Sequence, residues 1–176
     1  TEVLTTHTET RKSIRKLAMA NCWHAEEYEQ MLMWKLYSDR NGIAIRTTPG
    51  DLGDSLIGNT DVFVNHVRYL DYSKLGSDSI TNENFLSRVS SRPKYLNYEK
   101  EVRLVVTNPV LPEDFIRFDQ LPEGVGIAVN PSKLITSAVI RPEAEEWVFE
   151  ALSKIHNELG LEINLTISEF EFEPVW

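Results

Sequence analysis

The chain has 176 residues, of which 41% are hydrophobic and 26% are charged, a composition that excludes a disordered chain and fits a globular one. Its 18 Lys and Arg residues against 27 Asp and Glu residues give a formal net charge of -9, which argues against general nucleic-acid binding because a phosphate backbone would be repelled. The single cysteine, Cys22, excludes an internal disulfide framework and favours a reducing compartment.

Length and hydropathy also bear on the extent and location of the protein. Residues 1–176 fit one domain, and periodic structure begins so soon after Thr1 that we expect an upstream N-terminal segment to precede it. No apolar run approaches the length of a membrane span, and no segment has the features of a signal peptide. We therefore expect a cytoplasmic protein that binds a small molecule or another protein and not a membrane, in an oligomeric state that the sequence leaves open.

In the first half of the chain, helix formers with apolar residues three or four positions apart predict helices, and β-branched or aromatic runs predict strands. Gly42 is expected to hold a left-handed turn, and Thr48 is expected to cap a helix that starts at Pro49. In chain order the predicted elements are a helix over 9–17, a strand over 18–23, a helix over 26–38, a strand over 43–46, a short helix from 48 to about 58 and a strand over 62–69.

The second half is predicted by the same patterns, with proline turns between short strands. The last helix is expected to turn Trp147 and Ile155 inward and to end at Gly160. In chain order the elements are an irregular segment over 71–84, a brief helix over 84–91, strands over 101–107, 115–118, 126–129 and 134–140, a helix over 143–159 and a strand over 162–167. This order predicts an α+β fold, with a mostly antiparallel or mixed sheet of about six short strands and three or four helices packed against it.

The string that runs from Tyr98 into the strand over 101–107 is the first candidate site. Alternate side chains of a strand share a face, so Glu99, Glu101 and Arg103 would project together. Neighbouring carboxylates raise one another's proton affinity and an arginine lowers it, so the trio is suited to acid-base or electrostatic catalysis. The alternative is a set of ion pairs on a sheet face with no catalytic role.

A second candidate group would bind a ligand. Trp34 and Tyr37 lie three residues apart on the helix over 26–38 and could flank a flat base, although aromatic residues at this spacing are more often part of a core. Tyr98, Arg46 and His24 complete the candidate set, Arg46 as a cation for an anionic group. His24 with Cys22 or Glu27 is too few ligands for a metal site, so no metal is predicted.

The sequence lacks the common catalytic signatures. It has no Gly-rich phosphate loop, no Gly-x-Ser-x-Gly elbow and no His-Glu-x-x-His motif. The usual NTPase, α/β-hydrolase and zinc protease interpretations are therefore excluded.

Four blocks of the sequence carry a resemblance to a known family: Cys22-Trp23, Met33-Trp34-x-x-Tyr37, Asn41-Gly42-Ile43-Ala44-Ile45 and Tyr98-Glu99-x-Glu101-x-Arg103. Together they resemble a prokaryotic family known as domain of unknown function 2971. The resemblance covers residues 20–141 and departs from the family pattern at Val102, where the family commonly has an aromatic residue. It implies a role in host conflict, such as phage defence, or in regulation, and it implies no established reaction.

Two functional hypotheses follow. In the first, the Glu-x-Glu spacing resembles the acidic pair of some ADP-ribosyltransferases, with NAD as the substrate and no other cofactor expected. Glu101 would then be the catalytic carboxylate, Glu99 would orient the acceptor, and Arg103 or Arg46 would hold phosphate. In the second hypothesis the chain is a non-catalytic ligand-binding, sensor or interaction module, and the Glu/Arg motif is structural.

Overall fold

The computed structural model describes residues 17–58, 61–74, 85–107 and 124–170. These residues form eight strands in three small sheets, together with six helices, and the predicted α+β class is confirmed. The strands are β1 Ala18–His24, β2 Ile43–Arg46, β3 Val62–His66, β4 Arg68–Leu70, β5 Ser91–Pro93, β6 Glu101–Thr107, β7 Ser137–Ile140 and β8 Asn164–Ile167. The helices are α1 Met31–Tyr37, α2 Pro49–Asp54, α3 Phe85–Val89, a 3₁₀ helix Lys94–Glu99, α4 Pro131–Leu134 and α5 Glu146–Leu159.

The chain divides into two compact units. The first comprises Thr1–Glu27 and Asn59–Gly126, and the second comprises Tyr28–Gly58 and Ile127–Trp176. Each unit therefore combines stretches that are far apart in the sequence.

The first unit is built on β6. This strand pairs antiparallel with β1 on one side and with β3 on the other. Its side chains Val102, Leu104, Val105 and Val106 are all buried and make up most of the buried apolar side chains described in this unit. A β-branched run such as this one favours a central strand that is covered on both faces. Two further strands in the described part of the unit, β4 and β5, form a separate parallel pair.

The second unit is built on β7, which pairs antiparallel with β2 and parallel with β8. Short capped helices flank this sheet. The hydroxyl of Thr48 accepts a hydrogen bond from the backbone N–H of Asp51 at the start of α2, as predicted, and the side chain of Asn130 accepts one from Ser132 at the start of α4. Among the residues that the structure describes, the buried apolar side chains of this unit are Trp34, Leu52, Ala138, Val139, Ile140 and Val148.

Several predicted elements have different bounds in the structure. The helix predicted over 26–38 begins only at Met31, because Gln30 is extended and Glu29 is used in side-chain contacts. The strand predicted over 62–69 divides after His66, because the backbone N–H of Val67 bonds to Glu101 while the next residue pairs with a different strand.

The region after residue 124 also departs from the pattern in three places. The strand predicted over 126–129 is reduced to one bridge between Leu56 and Val129. The strand predicted over 134–140 starts at Ser137, because the Asn130 cap begins a helical turn before it. Helix α5 buries Val148 and exposes Trp147 and Ile155, so the prediction that these two residues face inward is wrong.

Other predicted segments lie partly or wholly outside the described residues. The helix over 9–17, the strand over 115–118 and most of the irregular segment over 71–84 belong to this group. Within the described ranges, none of the helices combines the length and the apolar character that crossing a bilayer requires.

Candidate functional site

The centre of the candidate site is one face of the three-stranded sheet in the first unit. Glu101 and Arg103 are two residues apart on β6 and therefore project to the same side. Arg103 lies opposite Cys22 of β1 and Asn65 of β3, and Glu101 lies opposite His24 of β1. Because residues that face each other in an antiparallel pair share a face, five polar side chains are gathered on this side of the sheet.

The carboxyl group of Glu99 also lies near that of Glu101, although Glu99 is not part of β6. It is the last residue of the 3₁₀ helix and not a strand residue, as the sequence had suggested. The next residue, Lys100, has a left-handed backbone with a φ of 40°, which few residues other than glycine adopt. This reversal ends the helix and starts β6, so that the two carboxyl groups on either side of Lys100 lie near each other.

Two arginines hold the two carboxyl groups. Arg103 Nε donates to Glu101 Oε2 at 2.6 Å, and Arg103 also donates through Nη1 to the backbone carbonyl of Val89. Arg92 of β5 bridges the pair, with Nη2 3.4 Å from Glu99 Oε2 and Nε 3.4 Å from Glu101 Oε1. These four residues are called the carboxylate cluster below.

The carboxylate cluster is largely closed to solvent. The side chains of Glu99 and Glu101 are 5% and 8% exposed and that of Arg103 is 11% exposed, whereas Arg92 is 39% exposed. The hydrogen bond from Arg103 to Glu101 is of the short, strong, charge-assisted kind, whereas Arg92 Nε lies within ion-pair distance of Glu101 without a hydrogen bond. Removing one partner leaves a buried charge without compensation. The cluster therefore joins β6 to β5 and to the end of α3 through charge.

The electrostatics keep Glu101 ionised. Burial by itself would raise the pKa of its carboxyl group, but the hydrogen bond from Arg103, the contact with Glu99 and the charge of Arg103 outweigh burial and hold the pKa at about 2. A carboxylate with this pKa stays negative at neutral pH. It is suited to stabilising a positive charge and unsuited to donating a proton.

Three further side chains surround the carboxylate cluster. His24 Nδ1 lies 2.6 Å from the carbonyl oxygen of Glu99, and the hydroxyl of Tyr69 accepts a hydrogen bond from the backbone N–H of Glu101 at 2.8 Å. The thiol of Cys22 is exposed, and its pKa is raised by partial burial and by the negative charge of Glu101. A raised pKa leaves less thiolate at neutral pH, so Cys22 is not activated as a nucleophile.

The aromatic candidates occupy the second unit. Trp34 is buried at 5% exposure, and its indole N–H donates to Glu29 Oε2 at 3.0 Å. The other oxygen of Glu29 lies 3.1 Å from Arg46 Nη2. Arg46 thus has a carboxylate partner and Trp34 has a core position, while Tyr37 is exposed on the same helix.

The structure places the eight predicted site residues in two groups. Glu99, Glu101, Arg103 and His24 come together in the first unit, where Tyr98 precedes Glu99 in the 3₁₀ helix. Trp34 and Arg46 are joined by Glu29 in the second unit, with Tyr37 three residues after Trp34 on α1.

Sequence reasoning missed Arg92, Asn65 and Tyr69, each of which lies in or beside the carboxylate cluster. Arg92 comes seven residues before Glu99, on a strand that the pattern did not predict. The only sequence signal for these residues was the chemical complementarity of an arginine and two carboxyl groups. That signal does not show which residues lie close together in the fold.

The described ranges do not provide a metal site: they contain no group of three or more His, Cys, Asp and Glu side chains placed to hold an ion. Comparison with known proteins gives no relative, since no protein family model, no curated protein and no solved structure matches the chain. We therefore infer function from the chemistry of the carboxylate cluster and of the side chains beside it.

Proposed function

We propose that the chain is a non-catalytic, cytoplasmic ligand-binding or interaction module in which the carboxylate cluster is structural. The observation that carries this proposal is the pairing of Glu101, whose two oxygens lie 2.6 Å from Arg103 Nε and 3.4 Å from Arg92 Nε. A catalytic carboxylate has to present an oxygen to its substrate, and this one presents both oxygens to arginines of its own chain.

The burial of the cluster supports the same proposal. Removing one partner of a buried ion pair typically costs about 3–5 kcal/mol, because the remaining charge loses its compensation. A cluster of this kind is well suited to holding β6, β5 and α3 in one arrangement. Ligand or partner binding would then fall to side chains around the cluster and not to the carboxylates.

The first experiment measures stability. We expect Glu101→Gln and Arg103→Met each to lower the free energy of unfolding by about 3 kcal/mol or more in urea titrations at pH 7. Glu158→Gln is the matched control, because Glu158 forms an exposed pair with Lys154, and such pairs contribute about 1 kcal/mol at most. A Glu101→Gln variant as stable as the control would contradict a structural role.

A second candidate function is an NAD-handling, ADP-ribosyltransferase-like enzyme. The observation that favours it is the permanent negative charge of Glu101, since an ionised carboxylate stabilises the oxocarbenium-like centre that forms when a glycosidic bond breaks. In this candidate Glu101 is the catalytic carboxylate, Glu99 orients the acceptor and Arg103 holds phosphate.

Incubation with labelled NAD and cell lysate separates the two candidates. The module predicts no label transfer and no loss of NAD with the unaltered chain. Transfer that disappears in Glu101→Gln but persists in Glu158→Gln would establish the enzyme and overturn the module. Membership of the domain of unknown function 2971 family is compatible with either outcome and stays part of the proposal.

A further inference from the structure

Two buried polar atoms on the face of the first sheet have no hydrogen-bond partner. They are Nε2 of His24 on β1 and Nδ2 of Asn65 on β3. Buried polar atoms without partners are rare in folded proteins, because each one loses its hydrogen bonds to water and gains none in return. Their retention in one region of a small sheet calls for a chemical reason.

The protonation of His24 determines what its free nitrogen offers. Its Nδ1 lies 2.6 Å from the carbonyl oxygen of Glu99, which can only accept a hydrogen bond, so Nδ1 carries the proton and donates. In the neutral ring Nε2 then carries a lone pair and accepts. The amide nitrogen of Asn65 is a donor by its chemistry. The sheet thus presents one free acceptor and one free donor.

Strand register places these two groups on the same side of the sheet. Asn65 and Cys22 both lie opposite Arg103, and His24 is two residues from Cys22 on β1. The guanidinium of Arg103, held by Glu101 and by the carbonyl of Val89, lies on the central strand between them. We call the surface formed by Cys22, His24, Asn65 and Arg103 the polar face.

We infer that the polar face binds a small, flat, neutral heterocycle of the nucleobase or carboxamide type. Such a molecule would donate to His24 Nε2 and accept from Asn65 Nδ2, and Arg103 would supply a planar cation on which flat rings stack. This inference rests on the proposed ligand-binding function and names the class of ligand.

The charges near the polar face favour a neutral ligand. The carboxylate cluster contains two acidic and two basic side chains, so an anion would meet Glu99 and Glu101 and a cation would meet Arg92 and Arg103. A neutral ring is repelled by neither kind of charge, and its binding does not require the removal of water from a charged group of the ligand. The exposed position of Cys22 on β1 marks the side from which a ligand would enter.

Alkylation of Cys22 provides a direct test, because it is the only cysteine of the chain. The rate of reaction with iodoacetamide is measured on the full chain at pH 8 with adenine, with nicotinamide and with nicotinate. We expect adenine or nicotinamide to slow the reaction, by about tenfold at about ten times the Kd, and we expect the anionic nicotinate to leave the rate unchanged.

Four variants localise the effect. Asn65→Leu and His24→Phe remove the free donor and the free acceptor, and we expect protection of Cys22 to be lost in both. Asn21→Leu and His66→Phe are the matched controls, since both residues are exposed and project to the opposite face of the same strands. Protection should persist in these controls. If Asn65→Leu does not fold, Asn65→Ala replaces it.

The possible results separate this inference from the proposed function. Unchanged alkylation with every probe, or protection that survives both Asn65→Leu and His24→Phe, would overturn the inference, with ordered water as the partner of the two atoms. Neither result changes the stability loss expected for Glu101→Gln or the absence of NAD turnover, on which the proposed function depends.

Discussion

Cys22 lies directly opposite Arg103 in the register of β1 and β6, and both Arg103 and Glu101 act on the pKa of its thiol. The only cysteine of the chain is therefore exposed beside the largely buried ion pair of Arg103 and Glu101, and its reaction rate can be used to probe that pair. Because partial burial and the charge of Glu101 both raise the pKa of the thiol, its reactivity depends on the state of the carboxylate cluster.

The first prediction concerns the reactivity of Cys22. Glu101→Gln removes a negative charge next to the thiol and lowers its pKa, so the thiolate fraction at pH 8 rises. We expect the variant to react with iodoacetamide severalfold faster than the unaltered chain under native conditions. Glu27→Gln removes a carboxylate that is not among the main influences on the pKa of Cys22, and it should leave the rate unchanged. An equal or slower rate in Glu101→Gln would show that the charge of Glu101 does not raise the pKa of the Cys22 thiol.

The second prediction concerns acid stability. The folded pKa of Glu101 is about 2, below its ordinary value of 4.5, so the folded state binds the proton less tightly than the unfolded state does. The resulting stabilisation is fully present above the unfolded pKa and is lost as the pH falls from about 5 towards 2. This stabilisation is on the order of 2 kcal/mol.

Urea titrations between pH 7 and pH 3 measure this dependence. The unaltered chain should lose stability more steeply below pH 5 than Glu101→Gln does, because the variant has no carboxyl group to protonate at this position. Parallel curves for the two proteins would mean that the Glu101 carboxylate is not preferentially ionised in the folded state.

The third prediction concerns the backbone at Lys100, whose φ of 40° is left-handed. Glycine adopts this conformation without strain, whereas a β-branched residue does not. We expect Lys100→Gly to change the free energy of unfolding by no more than about 1 kcal/mol and Lys100→Val to lower it by about 2 kcal/mol. Chemical denaturation of both variants checks the difference between them.

Lys100 also pairs with Glu26, and this contact requires its own control. Lys100→Met keeps the length of the side chain and removes the charge, and it should cost about 1 kcal/mol at most because Lys100 is exposed. If Met and Val were equally destabilising, the loss would come from the ion pair and not from the backbone.

The fourth prediction compares two glycines. A Cβ atom added at Gly42 would lie 2.3 Å from the Cβ of Ser38, whereas one added at Gly53 in α2 would have no neighbour within 4 Å. We expect Gly42→Ala to lower the free energy of unfolding by about 1–3 kcal/mol through overpacking, and Gly53→Ala to raise it by about 0.5–1 kcal/mol through helix propensity. Melting temperatures that move in opposite directions would support this contrast, and a harmless Gly42→Ala would contradict it.

The prediction that Gly42 holds a left-handed turn is wrong, and the structure gives a different reason for a glycine at this position. Its place after Asp39-Arg40-Asn41 predicts a left-handed turn, but the positive-φ glycines of the described residues are Gly58 and Gly160. Gly42 is required because the chain passes close to Ser38, whose backbone and hydroxyl oxygens accept hydrogen bonds from Arg141. Local turn chemistry is visible in a sequence, whereas the approach of residues brought together by Arg141 is not.

Local sequence patterns predicted the structure correctly where the geometry of an element depends only on its own residues. The β-branched run over 101–107 is a strand, Thr48 caps α2, and Gly160 ends α5 with a φ of 60°. In each case the decisive interactions lie within about four residues, which is the range over which propensity, capping and turn chemistry act. The spacing of Glu101 and Arg103 likewise predicted their shared face.

Tertiary structure alone decided how the charges are paired. Arg92 approaches Glu99 and Glu101 because β5 turns beside the 3₁₀ helix, and Asn65 approaches Arg103 because β3 pairs with β6 in one register. Shifting that register by one residue would turn Asn65 to the other face. The sequence by itself determined which residues could ionise and which segments form strands, while the packing of distant strands determined which charges are buried together, since burial and pairing depend on neighbours that no local pattern contains.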